Sequence, residues 1–116
     1  MRLRIRARNT EISRTFEEWI ERRLWFALAK FGGRISRITA FLEDINGPRG
    51  GVDQRCRVEV LLVPSGKIQA EATDADAVLA VSRATNRIAR RVRDALERRR
   101  TRRVCTRAHT RGGPAA

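Results

Sequence analysis

Residues 55–73 read RCRVEVLLVPSGKIQAEAT. Two alternating stretches flank a Pro-Ser-Gly connection. In the first, Cys56, Val58, Val60 and Leu62 alternate with Arg55, Arg57, Glu59 and Leu61; in the second, Ile68, Ala70 and Ala72 take every other place. A period of two belongs to a strand with one buried and one polar face. The short connection predicts an antiparallel hairpin. A sheet with one apolar face needs helices to cover it, and the rest of the chain supplies them.

Upstream, residues 34–43 (RISRITAFLE) return to period two through Ile38, Ala40 and Leu42. Residues 2–8 (RLRIRAR) set Leu3, Ile5 and Ala7 against Arg2, Arg4, Arg6 and Arg8. Between these two strands, Ser13 is placed to cap a helix. Phe16, Trp19, Ile20, Leu24, Ala27, Leu28 and Phe31 then follow at spacings of three and four, which form one apolar stripe. Gly32 and Gly33 are expected to stop this helix. The segment 44–53 (DINGPRGGVD) is dense in turn formers and reads as a loop. Its glycines lie between strands and lack the Lys-Ser/Thr and helix of a phosphate loop.

Downstream of the hairpin, Asp74 or Asp76 opens a last helix with Val81, Ala84, Ile88, Val92 and Ala95 on its apolar face. Periodicity fails after about residue 103. The expectation is therefore a domain over 1–103 and a basic, disordered tail over 104–116. The fold class is α+β in the order β-α-β-β-β-α: a four-stranded sheet with two helices packed on one face. The first crossover should be right-handed and parallel. The outer sheet face would carry Arg4, Arg6, Arg37, Arg55, Arg57 and Lys67, with Phe41 as its single aromatic residue.

Charge is distributed unevenly along the chain. Of its 116 residues, 1–82 carry fourteen Arg or Lys and eleven Asp or Glu, while 83–116 carry twelve Arg and two acids. On a helical wheel Arg83, Arg87 and Arg90 fall within about 60° of one another, opposite the apolar stripe, with Arg91 beside them. Arg98 continues the row. Such an uncompensated arginine face suits a polyanion, because the planar guanidinium can hold phosphate bidentately. Arg22 and Arg23 on the first helix, Arg34 after it and Arg37 on the second strand are the assisting basic residues. Zinc-finger spacing, helix-turn-helix pairing and zipper heptads are all missing, which favours recognition of folded RNA by shape and charge.

Other function classes have little foothold. The only histidine, His109, sits in the tail, and neither a Ser/His/Asp set nor clustered carboxylates suggest an enzyme. Cys56 reads as a small core residue; Cys105 and His109 are too few to hold a metal. No cofactor and no small-molecule substrate are expected. No apolar run is long enough to span a bilayer, and the N-terminus lacks a signal-peptide centre, so a cytoplasmic location is expected, with no membrane partner. Trp25 and Phe26 flank the first helix's stripe; the following chain or the second helix is expected to cover them, the alternative being an exposed contact to RNA or protein.

Two segments, MRLRIRARNTEIS with its N-x-E-I-[ST] pattern and DADAVLAVSRATNRIARRV, together with the element order, resemble the ribosome hibernation-promoting factor and ribosome-associated inhibitor family, formerly called sigma-54 modulation proteins. The resemblance covers about residues 1–100. It implies a small, non-enzymatic, cytoplasmic protein that binds rRNA of the small ribosomal subunit in the channel used by mRNA and tRNA, blocking translation and shielding idle ribosomes when growth slows. It places the family's basic positions at Arg87, Arg90 and Arg91, with Arg83 adjacent, and at Arg23 and Arg34. It further implies a short member without the dimerisation domain of long members, and so a monomer off the ribosome. The sequence departs from the family at Val78 and Ser82, where a Tyr and an Asp are usual, at Phe26, which replaces a lysine, and in the longer loop 44–53. The alternative is a general double-stranded RNA or nucleoid-binding protein; a protein partner at Trp25 and Phe26 is a further one.

Overall fold

The structure is a computed structural model describing residues 2–45 and 53–110, with side chains described through residue 100. The elements are β1 (Arg2–Arg8), α1 (Arg14–Leu28), a 3₁₀ segment (Ala29–Arg34), β2 (Ile35–Asp44), β3 (Gln54–Leu62), β4 (Lys67–Asp74) and α2 (Ala77–Thr110). The sheet order is β1-β2-β3-β4. β1 runs parallel to β2, and the other two pairings are antiparallel, as the crossover and the hairpin require.

One core explains the order. Ile38, Ala40 and Leu42 of β2, Cys56, Val58 and Val60 of β3 and Ala70 and Ala72 of β4 point to the same side. There they meet Ile20, Leu24 and Leu28 of α1 and Val81, Ala84, Ile88 and Val92 of α2. Both helices thus cover one face of the sheet. Ile35 is buried as well, although it lies three residues from Ile38, out of phase for a regular strand. The pairing slips between Ile35 and Arg37, so that Ile35 faces Leu62 and Arg37 faces Leu61. This bulge returns both isoleucines to the core side.

The ends of the helices follow local chemistry. The Ser13 hydroxyl accepts from the Phe16 N–H at 3.0 Å, and an Asp76 carboxylate oxygen accepts from the Val78 N–H at 2.8 Å; of the two candidate aspartates, Asp76 is the one that caps α2. α1 ends at Leu28, before the glycine pair, and tightens into the 3₁₀ segment that carries Gly32 and Gly33. α2 does not stop near residue 103. Its backbone stays helical to Thr110, past the last position of the apolar period. Most of the loop 44–53, its GPRGG segment and residues 111–116 lie outside the described residues, as do the side chains of Cys105 and His109. Between β3 and β4, Gly66 has φ +117°, a conformation open to glycine. Cys56 is buried, and burial pushes its thiol up to about 12.

Candidate nucleic-acid interface

β4 is an edge strand, so every second residue turns its backbone N–H and C=O away from the sheet. Along that edge lies α2. The Arg87 guanidinium donates to the Glu71 carbonyl at 2.6 Å, Arg91 donates to the Gln69 carbonyl at 2.7 Å, and Arg99 donates to the Ser65 carbonyl at the hairpin. Arg83 pairs with the Asp74 carboxylate at 3.2 Å. The match is geometric. Four residues of helix advance about 6 Å and two residues of strand about 6.8 Å, so an arginine at each i+4 step meets an outward carbonyl at each i+2 step. The place where a rung at residue 95 would fall belongs to Ala95, which is buried.

This ladder corrects the wheel. Arg83, Arg87 and Arg91 do not form a free outer row with Arg90; they lie on the flank beside β4 and reach sideways to it. The wheel counts angles and omits the length of the arginine stem, which lets a residue near the apolar stripe carry its charge to a carbonyl at the rim. Arg90 is the member left on the outward side of α2, exposed and without an ion pair among the described residues. The guanidiniums of the ladder remain at the surface: the Arg83 side chain is 56% exposed.

On α1, Arg22 and Arg23 are exposed. Together with Trp19, Trp25 and Phe26 they line a groove of about 1020 Å³ whose α2 side includes Asn86. The Arg23 guanidinium lies 6.0 Å from the centre of the Trp19 ring. Trp25 and Phe26 are not covered by the following chain or by α2; they are 51% and 88% exposed. Arg34 is half-buried at the end of the 3₁₀ segment, its carbonyl accepting from the Val63 N–H at 2.8 Å. Arg37 stands apart from the other seven. It points to the opposite face of the sheet, beside Arg2 in the β1–β2 register.

That opposite face is divided. Toward β3 and β4 its charges are paired: Arg55 with Glu43 at 3.3 Å, and Lys67 with Glu59 at 3.4 Å. Arg57 lies 4.8 Å over the ring of Phe41, so the one aromatic surface there is already covered. Toward the β1 edge, Arg2, Arg4, Arg6 and Arg8 are exposed and without ion pairs among the described residues. The strict alternation of RLRIRAR carried that signal, yet only Arg37 of this face entered the expected set. Asn86 was missed outright, since a polar residue beside an arginine run shows no period of its own.

The chain is a β-α-β-β-β-α domain with basic residues on its helix layer, and the sequence pattern of the sigma 54 modulation protein / S30EA ribosomal protein family matches residues 3–100. The chain belongs to this family. Membership makes it a ribosome-associated factor. Solved structures agree with the fold. The Thermus thermophilus Protein Y N-terminal domain superposes with a TM-score of 0.64 and 24% identity, covering 79% of this chain and 96% of that one. A ribosomal subunit interface protein from Coxiella burnetii superposes with a TM-score of 0.70 and 18% identity, covering 84% and 99%. At these identities the likeness carries the fold alone. No curated protein matches the chain in sequence. Among the described residues of this S30EA-family chain, no helix is long and apolar enough to cross a membrane and no cluster of side chains is arranged to hold a metal.

Proposed function

We propose that the chain binds rRNA in the decoding channel of the small ribosomal subunit as a single copy in the cytoplasm, and there keeps idle ribosomes inactive. The observation that carries this reading is the set of exposed arginines on the helix layer, Arg22, Arg23 and Arg90, which have no carboxylate partner among the described residues. In a ribosome-associated family, unneutralised guanidiniums on an ordered surface suit rRNA phosphates. Arg83, Arg87 and Arg91 border the same layer and keep donors to spare, since a guanidinium carries five N–H groups. Arg34 and Arg37 play a lesser part, the first half-buried and the second on the far side of the sheet.

Two charge reversals of equal size test the address. Arg22→Glu/Arg23→Glu/Arg90→Glu should abolish co-sedimentation with small subunits at about 150 mM salt and leave the melting temperature nearly unchanged. Arg4→Glu/Arg6→Glu/Arg8→Glu, the same change on the opposite face, should weaken it far less. Equal loss in both would mean that net charge, and not the helix layer, drives binding. Equal competition by bulk duplex RNA would replace the ribosomal reading with general duplex binding.

A further inference from the structure

The protein has six aromatic side chains, four Phe and two Trp. Phe16 and Trp19 stack on each other at 5.7 Å. Lys30 lies 5.3 Å from the ring of Phe31, and Arg57 covers Phe41. Trp25 and Phe26 have neither a ring nor a cation upon them among the described residues, and they are the two largest exposed apolar side chains. Single exposed apolar residues are ordinary, but adjacent exposed aromatic residues on a helix that already has a full core face are not.

Their surroundings limit what could cover them. Arg22, Arg23 and Asn86 line the groove they share, with Glu21 as its one acidic residue. Thr85 lines it too, 1% exposed, with its hydroxyl oxygen unpartnered. Flat apolar faces, cations and an amide that both donates and accepts are complementary to the three parts of a nucleotide: base face, phosphate and base edge. A wholly apolar peptide would leave the two arginines unmatched. A duplex buries its base faces and could not reach the rings.

We propose that this groove is a stacking site for unpaired RNA nucleotides, with Trp25 and Phe26 taking base faces, Arg22 and Arg23 the adjoining phosphates, and Asn86 a base edge. The two rings leave the helix about 100° apart, so they take two separate bases and do not clamp one. This deepens the proposed function and rests on it, naming single-stranded RNA as the element that the helix layer meets.

The test uses the full chain carrying Trp19→Phe, which leaves Trp25 as the only tryptophan. The probe is a uridine decamer; a duplex of equal length is the comparison. Stacking on an aromatic side chain changes affinity by about 5- to 150-fold per base. Quenching of Trp25 emission by the decamer is expected. Its Kd, read by fluorescence anisotropy of a dye-labelled decamer, should rise at least ~10-fold in Trp25→Ala and again in Phe26→Ala, with a change of less than ~2-fold for the duplex. Unchanged decamer affinity in both variants, or equal losses for decamer and duplex, would overturn the site. So would photocrosslinking from position 26 that labels a ribosomal protein instead of rRNA. Failure of the unaltered chain to co-sediment with small subunits would instead sink the ribosomal reading, whatever the decamer shows.

Discussion

The arginine ladder makes a prediction that separates structural from binding arginines. In Arg87→Ala/Arg91→Ala, two carbonyls of the β4 edge lose donors at 2.6 and 2.7 Å. A hydrogen bond with a charged partner contributes roughly 1.5–3 kcal/mol. Here the donors are at the surface and water replaces them, so about 1 kcal/mol each is the better figure. The pair should cost about 2 kcal/mol, or roughly 10 °C in Tm for a domain of this size. Arg90→Ala removes a neighbouring guanidinium with no such partner and should stay within about 0.5 kcal/mol. Urea denaturation followed by circular dichroism reads both, through a lower midpoint at constant slope. If the double variant melted at the same midpoint as Arg90→Ala, the ladder would hold nothing together.

Three other perturbations test single features. Gly66→Ala should destabilise by about 2 kcal/mol, because φ +117° strains any side chain and the new Cβ collides with the Arg99 guanidinium; in an Arg99→Ala background the added cost should be smaller, since the Ser65 contact is already gone. Asp76→Ala should cost about 1 kcal/mol in thermal denaturation through loss of the α2 cap. The buried Cys56 thiol titrates at about 12, against 9.0 for an ordinary thiol. The unfolded chain therefore releases this proton first, and the Cys56 contribution is intact below pH 9 and falls by about 1.4 kcal/mol per pH unit above it, until pH 12. Comparing the pH dependence of stability in Cys56→Ala with that of the parent isolates the effect; parallel curves would refute it.

The sheet was legible because each strand has one solvent face, so a period of two survives in Leu3–Ile5–Ala7, Ile38–Ala40–Leu42 and Val58–Val60–Leu62. Ile35 broke that period, and no local rule announces a bulge when the residue between is an ordinary serine. The helices were legible from their stripes and their caps, Ser13 and Asp76. The end of α2 was not, since the apolar period reports burial and a helix can outlast its buried face. For the candidate site, residue types and their element were readable, but not which arginines were free. That depends on the carbonyls of Glu71, Gln69 and Ser65, and carbonyls look the same at every position of a sequence. The exposure of Trp25 and Phe26 was equally hidden, because a helical wheel cannot show whether a neighbouring element arrives to cover its flank.

The ladder also bears on how the helix layer would meet RNA. A free arginine loses up to about 2 kcal/mol of rotamer entropy when a phosphate fixes it. Arg87 and Arg91 are already fixed, each stretched along the β4 edge by one of its five donors. Both residues are exposed, so their remaining N–H groups are available at a repeat of about 6 Å along the helix before any ligand arrives. Under the proposed function these two side chains bind at little entropic cost, while Arg22, Arg23 and Arg90 contribute charge and pay for their ordering. Arg91→Ala and Arg90→Ala each remove one positive charge and should lower the association rate and its salt dependence alike, whereas loss of the pre-ordered Arg91 should in addition hasten release. Stopped-flow association and dissociation of small subunits with Arg91→Ala and Arg90→Ala would show the split. A loss confined to association in both variants would mean that Arg91 contributes charge and no order.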